Sequence, residues 1–358
     1  MKKICVITTS LGKGGAERSS AMLSQMLSNL GFEVHILMTK NDIDYEFGGF
    51  MFNLEQTYGK DVSNFKKIVL LKSYFKQQNF DVIIDNRTRP GFLKEYILYH
   101  HVFKTQNMIS VVRSYNINNY LPKNKFLACV LYGKNSKIVA VSKEIQKSLI
   151  EKYHFKNCVQ IYNPINLNDI KLKGSEKIDI APNERFIIFF GRIEEKVKNF
   201  TLLFKSYKES KLPSIGIKLY IVGDGKDIGF LKQLSSELEL ENLVVIKSFT
   251  KNPFKYVKKA LFSVLTSRYE GFPRVLIESL ACETPVVSVD CKSGPKEIIK
   301  DEFNGLLVEN YNSKALANAF DSFIENEVLY NFCKSNCRQS VERFSINEIA
   351  LKWKTLLD

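Results

Sequence analysis

Two glutamates, Glu270 and Glu278, stand eight residues apart in the stretch SRYEGFPRVLIESLACETPVV. Gly271 and Pro273 indicate a tight turn that leads into a helix, because proline is tolerated in a first helical turn. Stepping about 100° per residue from Val275, apolar side chains cover most of that helix, so it should be largely buried. An unpaired carboxylate there would be costly. Glu278 therefore needs a partner, which is either another side chain or a ligand such as a vicinal diol.

A second set of charged residues follows an apolar run and reads FIIFFGRIEEKVKNF. The predicted strand ends at Gly191, Arg192 comes next, and Lys196 and Lys198 precede a new helix. Two cations at such a position could neutralise a diphosphate without a metal. An ordinary exposed charged loop would have the same composition, so the stretch alone leaves both interpretations open.

Glycines mark a third candidate in the first turn of the chain, TSLGKGGAERSS. Gly12, Gly14 and Gly15 would let the backbone approach an anion at the start of the next helix. The dinucleotide fingerprint G-x-G-x-x-G is incomplete, because Glu17 occupies the place of its third glycine. A plain tight turn explains these glycines as well as a binding loop does.

These turns separate short apolar runs that alternate with amphipathic stretches along the chain. Continuous Val, Ile and Phe runs indicate parallel strands covered on both faces. The predicted strands are Ile4–Thr8, Val34–Met38, Val82–Asp85, Ile109–Val112, Ile138–Val141, Val159–Tyr162, Phe186–Phe190, Leu219–Val222, Val244–Ile246, Ser263–Leu265, Val286–Val289 and Leu306–Val308. The predicted helices include Ala16–Leu30, Phe65–Gln78 and Lys143–Lys152.

The pattern predicts two doubly wound, Rossmann-like α/β domains that face a cleft, with domain ranges 1–165 and 166–342. The polar segment 163–184, punctuated by proline and glycine, is predicted to be the linker. A helix at about 343–358 is a candidate to pack back on the first domain. Ligands of such sheets bind beyond the carboxyl ends of the strands, so each strand-to-helix turn is a candidate site.

Charge is distributed unevenly over the chain, whose formal net charge is +14. Residues 1–165 hold 23 Lys and Arg against 12 Asp and Glu, whereas residues 166–358 hold 29 against 26. A basic first half suits nucleic acid, an anionic membrane surface, a phosphorylated substrate or simply a solvated surface. Nucleic acid is disfavoured because aromatic-interleaved basic motifs are absent. The lysines of residues 65–78 are typical of an interfacial helix and also of a helix that covers a sheet.

Cysteine usage and hydropathy indicate a cytoplasmic protein. The seven cysteines form no CxxC pair and show no zinc spacing, which favours a reducing compartment. The start, MKKICVITTSLGKGG, does not have the pattern of a signal peptide. No run approaches the roughly 20 apolar residues of a membrane span, so peripheral binding to the inner face of the cytoplasmic membrane is the expected kind of membrane contact. We interpret the D-x-D of Asp42, Ile43 and Asp44, in a polar loop, as coincidental, and we expect no metal.

In combination and in this order, the motifs resemble the retaining glycosyltransferases of family 4, which have the GT-B fold. The resemblance covers essentially the whole chain, and within the family it points to the bacterial members that extend lipid-linked or capsular glycans. It rests on GGAER (Gly14–Arg18), Gly191-Arg192 with Lys198, GDG (Gly223–Gly225), EGFPRVLIE (Glu270–Glu278) and SGPKEII (Ser293–Ile299).

The resemblance implies a hexosyltransferase that moves a hexose or N-acetylhexosamine from a nucleoside diphosphate sugar, with a UDP-sugar expected. The implied acceptor is a glycan, carried on a polyprenyl diphosphate or destined for a capsule, an O-antigen or a protein glycan. Retention of anomeric configuration and the absence of a cofactor are implied in the same way. Arg192, Lys198 and Glu270 would be catalytic, the two cations by holding the diphosphate and Glu270 by gripping the transferred sugar.

The remaining roles are also carried over from the family. The nucleotide would be bound by Gly14, Gly15, Arg192, Lys198, Phe249, Val275, Leu276 and Glu278, the sugar by Glu270, Gly271, Phe272, Pro273 and Arg274, and the acceptor by Arg87, Arg113 and Ser114. Arg89, close to Arg87 after the same predicted strand, is a further candidate for an acceptor phosphate.

Two departures from the family pattern leave questions open. The spacing from Arg192 to Lys198 is one residue longer than in many members, so Lys196 competes for the role of the diphosphate lysine. Many members also place a histidine after the fifth strand, where this chain has Arg113 and Ser114, and the identity of the sugar is uncertain for that reason.

Other functions remain compatible with the same motifs. A sugar-nucleotide 2-epimerase of the same fold would be expected to place histidines around the sugar, and this chain has four histidines, all elsewhere. A glycan- or nucleotide-binding protein without catalytic activity could keep the binding residues. Formation of free nucleoside diphosphate only in the presence of an acceptor would distinguish a transferase from both.

Overall fold

The computed structural model describes residues 1–103, 107–133 and 136–358. It divides into two compact units. Unit 1 comprises Met1–Pro164 together with Ile346–Asp358, and unit 2 comprises Ile165–Ser345. The chain thus leaves unit 1 after Pro164 and returns to it after Ser345.

Unit 1 is built on a parallel sheet of seven strands. These are β1 (Lys3–Thr8), β2 (Glu33–Met38), β3 (Phe50–Asn53), β4 (Val82–Asp85), β5 (Met108–Val112), β6 (Ser136–Ala140) and β7 (Cys158–Gln160). They are ordered β3-β2-β1-β4-β5-β6-β7, with Ile4 in register with Val34 on one side and Val82 on the other. Six of these strands were predicted from their apolar runs, whereas β3, an exposed edge strand, was missed.

The helices of unit 1 connect these strands. They are α1 (Gly15–Asn29), α2 (Leu54–Tyr58), α3 (Asn64–Gln78), α4 (Phe92–Ile97), α5 (Lys125–Tyr132) and α6 (Lys143–Tyr153), with a π-helix over Leu98–Phe103 and a 3-10 turn over Ile117–Asn119. The side chains of Ser63, Asn124 and Ser142 accept hydrogen bonds from backbone N–H groups in the first turns of α3, α5 and α6. Such caps satisfy donors that a helix start leaves unpaired.

Unit 2 is built on a parallel sheet of six strands. These are β8 (Phe186–Phe190), β9 (Lys218–Val222), β10 (Val244–Lys247), β11 (Ser263–Leu265), β12 (Val286–Val289) and β13 (Gly305–Val308). Their order is β10-β9-β8-β11-β12-β13. All six were predicted to within one residue at each end, because each contains a run of apolar residues.

The helices of unit 2 are α7 (Leu167–Gly174), α8 (Glu195–Lys198), α9 (Phe200–Glu209), α10 (Ile228–Glu237), α11 (Phe254–Lys259), α12 (Arg274–Ala281), α13 (Pro295–Ile298), α14 (Ser313–Glu325) and α15 (Glu327–Val341), with 3-10 turns over Pro213–Ile215 and Glu342–Phe344. The prediction that residues 163–184 form only a linker is wrong for its first part. Within that segment α7 packs against α11 and α12, because the side chain of Ile170 enters the core of unit 2.

A final helix, α16 (Ile346–Leu357), belongs to unit 1 and contacts α1. It buries Ile349, Trp353 and Leu357. The ammonium group of Lys2 donates a 2.5 Å hydrogen bond to the carbonyl oxygen of Leu357, which fixes the end of the helix beside β1. Across the described ranges of the chain, no helix combines the length and the apolar character needed to cross a membrane.

Each sheet reverses its strand order at one point. In unit 1 the reversal lies between β1 and β4, and in unit 2 it lies between β8 and β11. Connections that leave two such strands in opposite directions open a crevice at their carboxyl ends, which is where ligands of doubly wound sheets bind. The turns after β8 and β11 are therefore the first place to look for a site in unit 2.

Candidate active site

The turn after β8 begins at Gly191, whose φ of 139° suits glycine. The turn after β9 lies directly against it. A Cβ atom on Gly223 would lie 1.9 Å from the carbonyl oxygen of Gly191, and one on Gly225 would lie 1.9 Å from that of Ile193. The GDG motif thus has a packing function here, because it lets the two turns touch and so fixes the position of Arg192.

Lys198 and Glu270 are brought together by the turns after β8 and β11. The ammonium nitrogen of Lys198 lies 2.6 Å from Oε1 of Glu270, and the hydroxyl of Ser267 donates a 2.6 Å hydrogen bond to the same oxygen. The hydroxyl of Thr266 donates to the carbonyl oxygen of Lys198 at 2.8 Å. Side chains that the sequence separates by 72 residues therefore meet at the point where the strand order reverses.

The two lysines that compete in the sequence differ in their surroundings. Asn199, with φ of 54°, breaks the helix between α8 and α9 and ends the short helix at Lys198. Lys198 is half-buried against Glu270, whereas Lys196 is exposed. Within the described residues, the side chains of Lys196 and Arg192 form no hydrogen bond or ion pair, and both are exposed to solvent.

Glu195, in the charged run RIEEKVK, has a structural function that the sequence did not reveal. Its carboxylate accepts hydrogen bonds from the N–H of Phe200 at 2.6 Å and from the hydroxyl of Thr201 at 3.0 Å, at the start of α9. It also pairs with the guanidinium of Arg268 at 3.0 Å. A carboxylate at a helix start is favoured by the helix dipole. Glu195 thereby holds the turns after β8 and β11 together from a second side.

Glu270 is held in place by the segment that follows β12. Its N–H donates a 2.6 Å hydrogen bond to the carbonyl oxygen of Lys292, and the hydroxyl of Ser293 donates to the carbonyl oxygen of Gly271 at 2.8 Å. Both serine and glycine belong to the motifs SGPKEII and EGFPRVLIE. The two motifs therefore form one rigid unit at the start of α12.

The apolar side chains of that unit point into the core. Phe272 is buried, and its ring lies 5.2 Å from the ring of Phe344. Gly294 has a φ of 108°, and a Cβ atom there would lie 2.4 Å from Cδ of Pro273. Any contact of Phe272 with a sugar would consequently involve its backbone. The side chain of Leu276 is buried as well.

Glu278 has a side-chain partner one helical turn away on α12. Nη2 of Arg274 lies 3.4 Å from Oε1 of Glu278, and both side chains are nearly buried. The structure therefore supplies the side-chain partner that the sequence left open. Val275 faces the turn after β8, since a Cβ atom on Gly191 would lie 3.8 Å from its Cγ1.

Phe249 lies farther from the reversal point. It is exposed and follows β10, the edge strand, which is separated from β8 by β9. Cys291, directly after β12, lies closer to the site. Burial raises the pKa of the Cys291 thiol, and the Glu270 carboxylate raises it further, so that this cysteine is a protonated packing residue.

In unit 1 the glycine-rich turn leads from β1 into α1, which begins at Gly15. A Cβ atom on Gly12 would lie 1.8 Å from the carboxylate of Asp42, so the exposed side chain of Asp42 lies directly against this turn. The N–H of Asp44 donates to the carbonyl oxygen of Leu11 at 2.9 Å, which ties this acidic loop to the turn. A search of the described residues finds no group of three or more His, Cys, Asp or Glu side chains placed to hold a metal ion.

The structure does not offer Arg87 to an acceptor. Its guanidinium is buried and pairs with Asp85 at 2.8 Å and with Glu95 at 2.9 Å. Burial raises the pKa of Asp85, but Arg87 and Arg89 outweigh it and hold that pKa below its usual value. Arg89 is fully buried and donates to the carbonyl oxygen of Asp85 at 2.9 Å. The expected contact of Arg87 with an acceptor is corrected to a structural ion pair.

Arg113 and Ser114, the other residues predicted for the acceptor, follow β5. The guanidinium of Arg113 donates to Oδ1 of Asn86 at 3.0 Å and also to Oδ1 of Asn163. The hydroxyl of Ser114 accepts a hydrogen bond from the N–H of Asn116 at 3.2 Å. Both residues are partly exposed. They lie at the carboxyl edge of the sheet, one strand from the reversal point.

Comparison with known proteins identifies the family. Residues 13–169 match the family described as Glycosyltransferase Family 4, and residues 170–340 match the one described as Glycosyl transferases group 1. A Campylobacter jejuni enzyme, N-acetylgalactosamine-N,N'-diacetylbacillosaminyl-diphospho-undecaprenol 4-alpha-N-acetylgalactosaminyltransferase, is 34% identical over 98% of each chain. The chain belongs to glycosyltransferase family 4.

Other relatives agree with this assignment. The amylovoran biosynthesis glycosyltransferase AmsD of Erwinia amylovora is 25% identical over 100% of each chain. A Staphylococcus aureus TarM mutant solved with Fondaparinux, alpha-GlcNAc-glycerol and UDP superposes with a TM-score of 0.80 at 16% identity, over 100% of each chain. HepE of Anabaena, solved with UDP, gives 0.76 at 18% identity over 100% of this chain and 99% of its own. The family 4 chain is thus a hexosyltransferase with the GT-B fold.

Proposed function

We propose that this family 4 glycosyltransferase moves a hexose or an N-acetylhexosamine from a UDP-sugar to a glycan carried on a polyprenyl diphosphate. We further propose retention of anomeric configuration, no metal requirement and peripheral binding to the inner face of the cytoplasmic membrane. The acceptor is supported by the name of the Campylobacter jejuni relative, which specifies a diphospho-undecaprenol carrier. The donor nucleotide is supported by the UDP in the solved TarM and HepE structures.

The observation that carries the proposal is the Lys198–Glu270 pair beside the turn of Arg192, at the reversal point of the unit 2 sheet. Negative charge develops on the leaving diphosphate as the bond to the sugar breaks. Lys198, held by Glu270, would neutralise that charge from a fixed position, so that its orientation costs nothing at the moment of reaction. Arg192 would supply a second cation from the turn beside it. Glu270 orients Lys198 and would accept hydrogen bonds from hydroxyls of the transferred sugar.

The other predicted site residues remain proposals for the nucleotide and the sugar. Glu278 would accept hydrogen bonds from the ribose while Arg274 balances its charge, and Val275 would pack beside the turn of Gly191. The backbone N–H groups of Gly271–Arg274 would bind sugar hydroxyls. Gly14 and Gly15 are proposed as an anion-binding turn, and Phe249 as a contact for the base.

The reaction is tested with UDP-hexoses and UDP-N-acetylhexosamines, a polyprenyl-diphosphate-linked glycan and EDTA in the buffer. We expect UDP release that requires the acceptor and that persists in EDTA. Lys198→Met should lower kcat/KM by about 10²–10³-fold, as removal of one fixed transition-state donor does elsewhere. Lys196→Met is the matched control. Its kcat/KM should remain within about threefold of wild type, because Lys198, and not Lys196, contacts Glu270.

Each component of the proposal has its own contrary result. UDP release without acceptor, or conversion of the donor to an epimer, would favour the epimerase. Loss of activity in EDTA, restored by a divalent cation, would refute metal independence. An anomeric proton coupling constant showing that the product has the anomeric configuration opposite to that of the donor would refute retention. A larger loss in Lys196→Met than in Lys198→Met would reassign the diphosphate lysine.

A further inference from the structure

Three helices of unit 1 expose a large apolar side chain in their first turns. Phe65 on α3 is 77% exposed, Leu93 on α4 is 70% exposed, and Phe126 on α5 is 73% exposed. Such residues are normally found singly on a protein surface and then need no explanation. Their recurrence at the same position of consecutive helices does need one.

The fold places these three side chains along one edge of unit 1. The chain runs in one direction across the sheet from β3 through β4 and β5 to β6, so right-handed crossovers put α3, α4 and α5 on the same face. Helix α3 contacts the π-helix that continues α4, and α4 contacts α5. Each helix begins at the carboxyl end of the strand before it. We call Phe65, Leu93 and Phe126 the apolar row.

Lysines accompany the apolar row. Lys66, Lys94 and Lys125 are sequence neighbours of its members, and all three are exposed. No ion pair joins any of them to another residue that the structure describes. Lysine in a first helical turn opposes the helix dipole, which favours acidic side chains there. Stability of the helices therefore does not account for these lysines.

Exposed acidic side chains are nearly absent from this part of the chain. Between Asp61 and Glu144 the sequence contains three acids, which are Asp81, Asp85 and Glu95. Asp85 and Glu95 are buried in the ion pairs of Arg87. Asp81 is exposed but precedes β4, so it lies at the opposite edge of the sheet. The segments from α3 to α5, which carry the apolar row, therefore contribute exposed lysines and no exposed acid to the carboxyl edge.

We propose that the apolar row and its lysines form a surface that docks on an anionic lipid bilayer, with Phe65, Leu93 and Phe126 inserted at the headgroup level. Exposed aromatic and aliphatic tips flanked by lysine have the chemistry of interfacial membrane binding, in which apolar insertion and attraction to anionic headgroups add. Arg113 and Ser114 lie at the same carboxyl edge of this sheet, so docking there would present the acceptor side of unit 1 to a lipid carrier.

The role of this surface rests on the proposed function, because docking would serve transfer to a lipid-linked acceptor. Lipid binding itself can be measured without any substrate. The protein is floated with vesicles of phosphatidylcholine alone or of phosphatidylcholine mixed with phosphatidylglycerol, whose anionic headgroups attract basic surfaces. We expect binding only to the anionic vesicles. The variant Phe65→Ser/Leu93→Ser/Phe126→Ser should lose at least tenfold in bound fraction, and Lys66→Gln/Lys94→Gln/Lys125→Gln should do the same.

The matched control is Leu172→Ser/Val328→Ser, which removes apolar side chains of similar exposure, 73% and 82%, from unit 2. It should bind vesicles as wild type does. Equal binding of wild type to neutral and anionic vesicles, no binding to either, or undiminished binding of the apolar-row variant would overturn the proposal. If wild type binds random duplex DNA but no vesicles, and the lysine variant loses that DNA binding, the ligand of this surface is nucleic acid and not lipid.

Failure of this proposal is distinguishable from failure of the proposed function. The apolar row lies outside the catalytic machinery, so its variants should keep wild-type transfer to a short water-soluble acceptor analogue. If wild-type protein transfers no sugar to that analogue, the result counts against the proposed function and does not affect the vesicle measurement.

Discussion

At the scale of single residues, Glu278 combines an observed ion pair with a proposed contact to the ribose. Its carboxylate faces Arg274, but at 3.4 Å the pair is longer than a strong charge-assisted hydrogen bond. A carboxylate has about four acceptor positions. Arg274 can therefore balance the charge of Glu278 without occupying every acceptor position of the carboxylate.

We expect Glu278→Ala to weaken UDP binding by roughly tenfold or more, because a hydrogen bond to a charged group contributes about 1.5–3 kcal/mol. It should also lower the free energy of unfolding of unit 2 by about 1–3 kcal/mol, since Arg274 would lose its buried partner. Titration calorimetry with UDP measures the first effect and urea unfolding the second.

Glu283→Ala is the matched control, because Glu283 forms an exposed pair with Lys258. It should change the affinity for UDP by less than about twofold. Undiminished UDP affinity in Glu278→Ala, from a protein that remains folded, would remove Glu278 from the nucleotide site.

The residues of the candidate site were only partly predictable from the sequence. Gly191 and Glu270 could be selected because charge and glycine follow buried strands. The choice between Lys196 and Lys198 could not be made, since it depends on the left-handed backbone of Asn199. Arg87 was predicted to meet the acceptor because it follows a strand, and the sequence did not show that the buried carboxylates of Asp85 and Glu95 pair with it.

At the scale of elements, buried apolar runs fixed most strands. They could not reveal β3, whose first side chains are exposed, or α7, whose sequence NLNDIKLKGS is mostly polar. The packing of turns was equally hidden. That Gly223 touches the carbonyl of Gly191 follows from the pairing of β8 with β9, which spacing alone does not specify.

We expect Gly223→Ala to displace the turn after β8 and so to move Arg192. A Cβ atom 1.9 Å from a backbone oxygen has no flexible neighbour that could give way. Catalytic efficiency should fall by about 10²-fold, which is the cost of a displacement of roughly 1 Å in a positioned group. Steady-state kinetics with the identified donor measures this loss.

Gly229→Ala provides the control for that substitution. Gly229 lies within α10, and a Cβ atom there would meet nothing within 4 Å. The substitution should raise the free energy of unfolding by about 0.4–1 kcal/mol and leave activity unchanged. Equal activity of Gly223→Ala and wild type would show that the contact between the two turns does not position the site.

At the scale of the whole molecule, unit 2 is inserted between two segments of unit 1. Helix α16, which follows unit 2 in the sequence, completes the core of unit 1 through buried Ile349, Trp353 and Leu357. Trp353 is the single tryptophan of the chain, so its fluorescence reports on unit 1 alone.

We expect Leu357→Ala to lower the free energy of unfolding of unit 1 by about 2–5 kcal/mol, the usual cost of a truncated core leucine. Leu351→Ala, on the exposed side of the same helix, should change it by less than about 0.5 kcal/mol. Denaturant titration followed by Trp353 fluorescence compares the two. Similar effects of both substitutions would mean that α16 does not contribute to the core of unit 1.

The return of the chain to unit 1 also affects how the protein is made. Residues 165–345 are synthesised before residues 346–358, which complete unit 1. Unit 2 can fold as soon as it emerges, in keeping with the folding of domains as units during translation. The core of unit 1 stays incomplete, with apolar surface uncovered, until Trp353 and Leu357 have been synthesised. The core of the unit that begins the chain therefore becomes complete only after all of unit 2 has been synthesised.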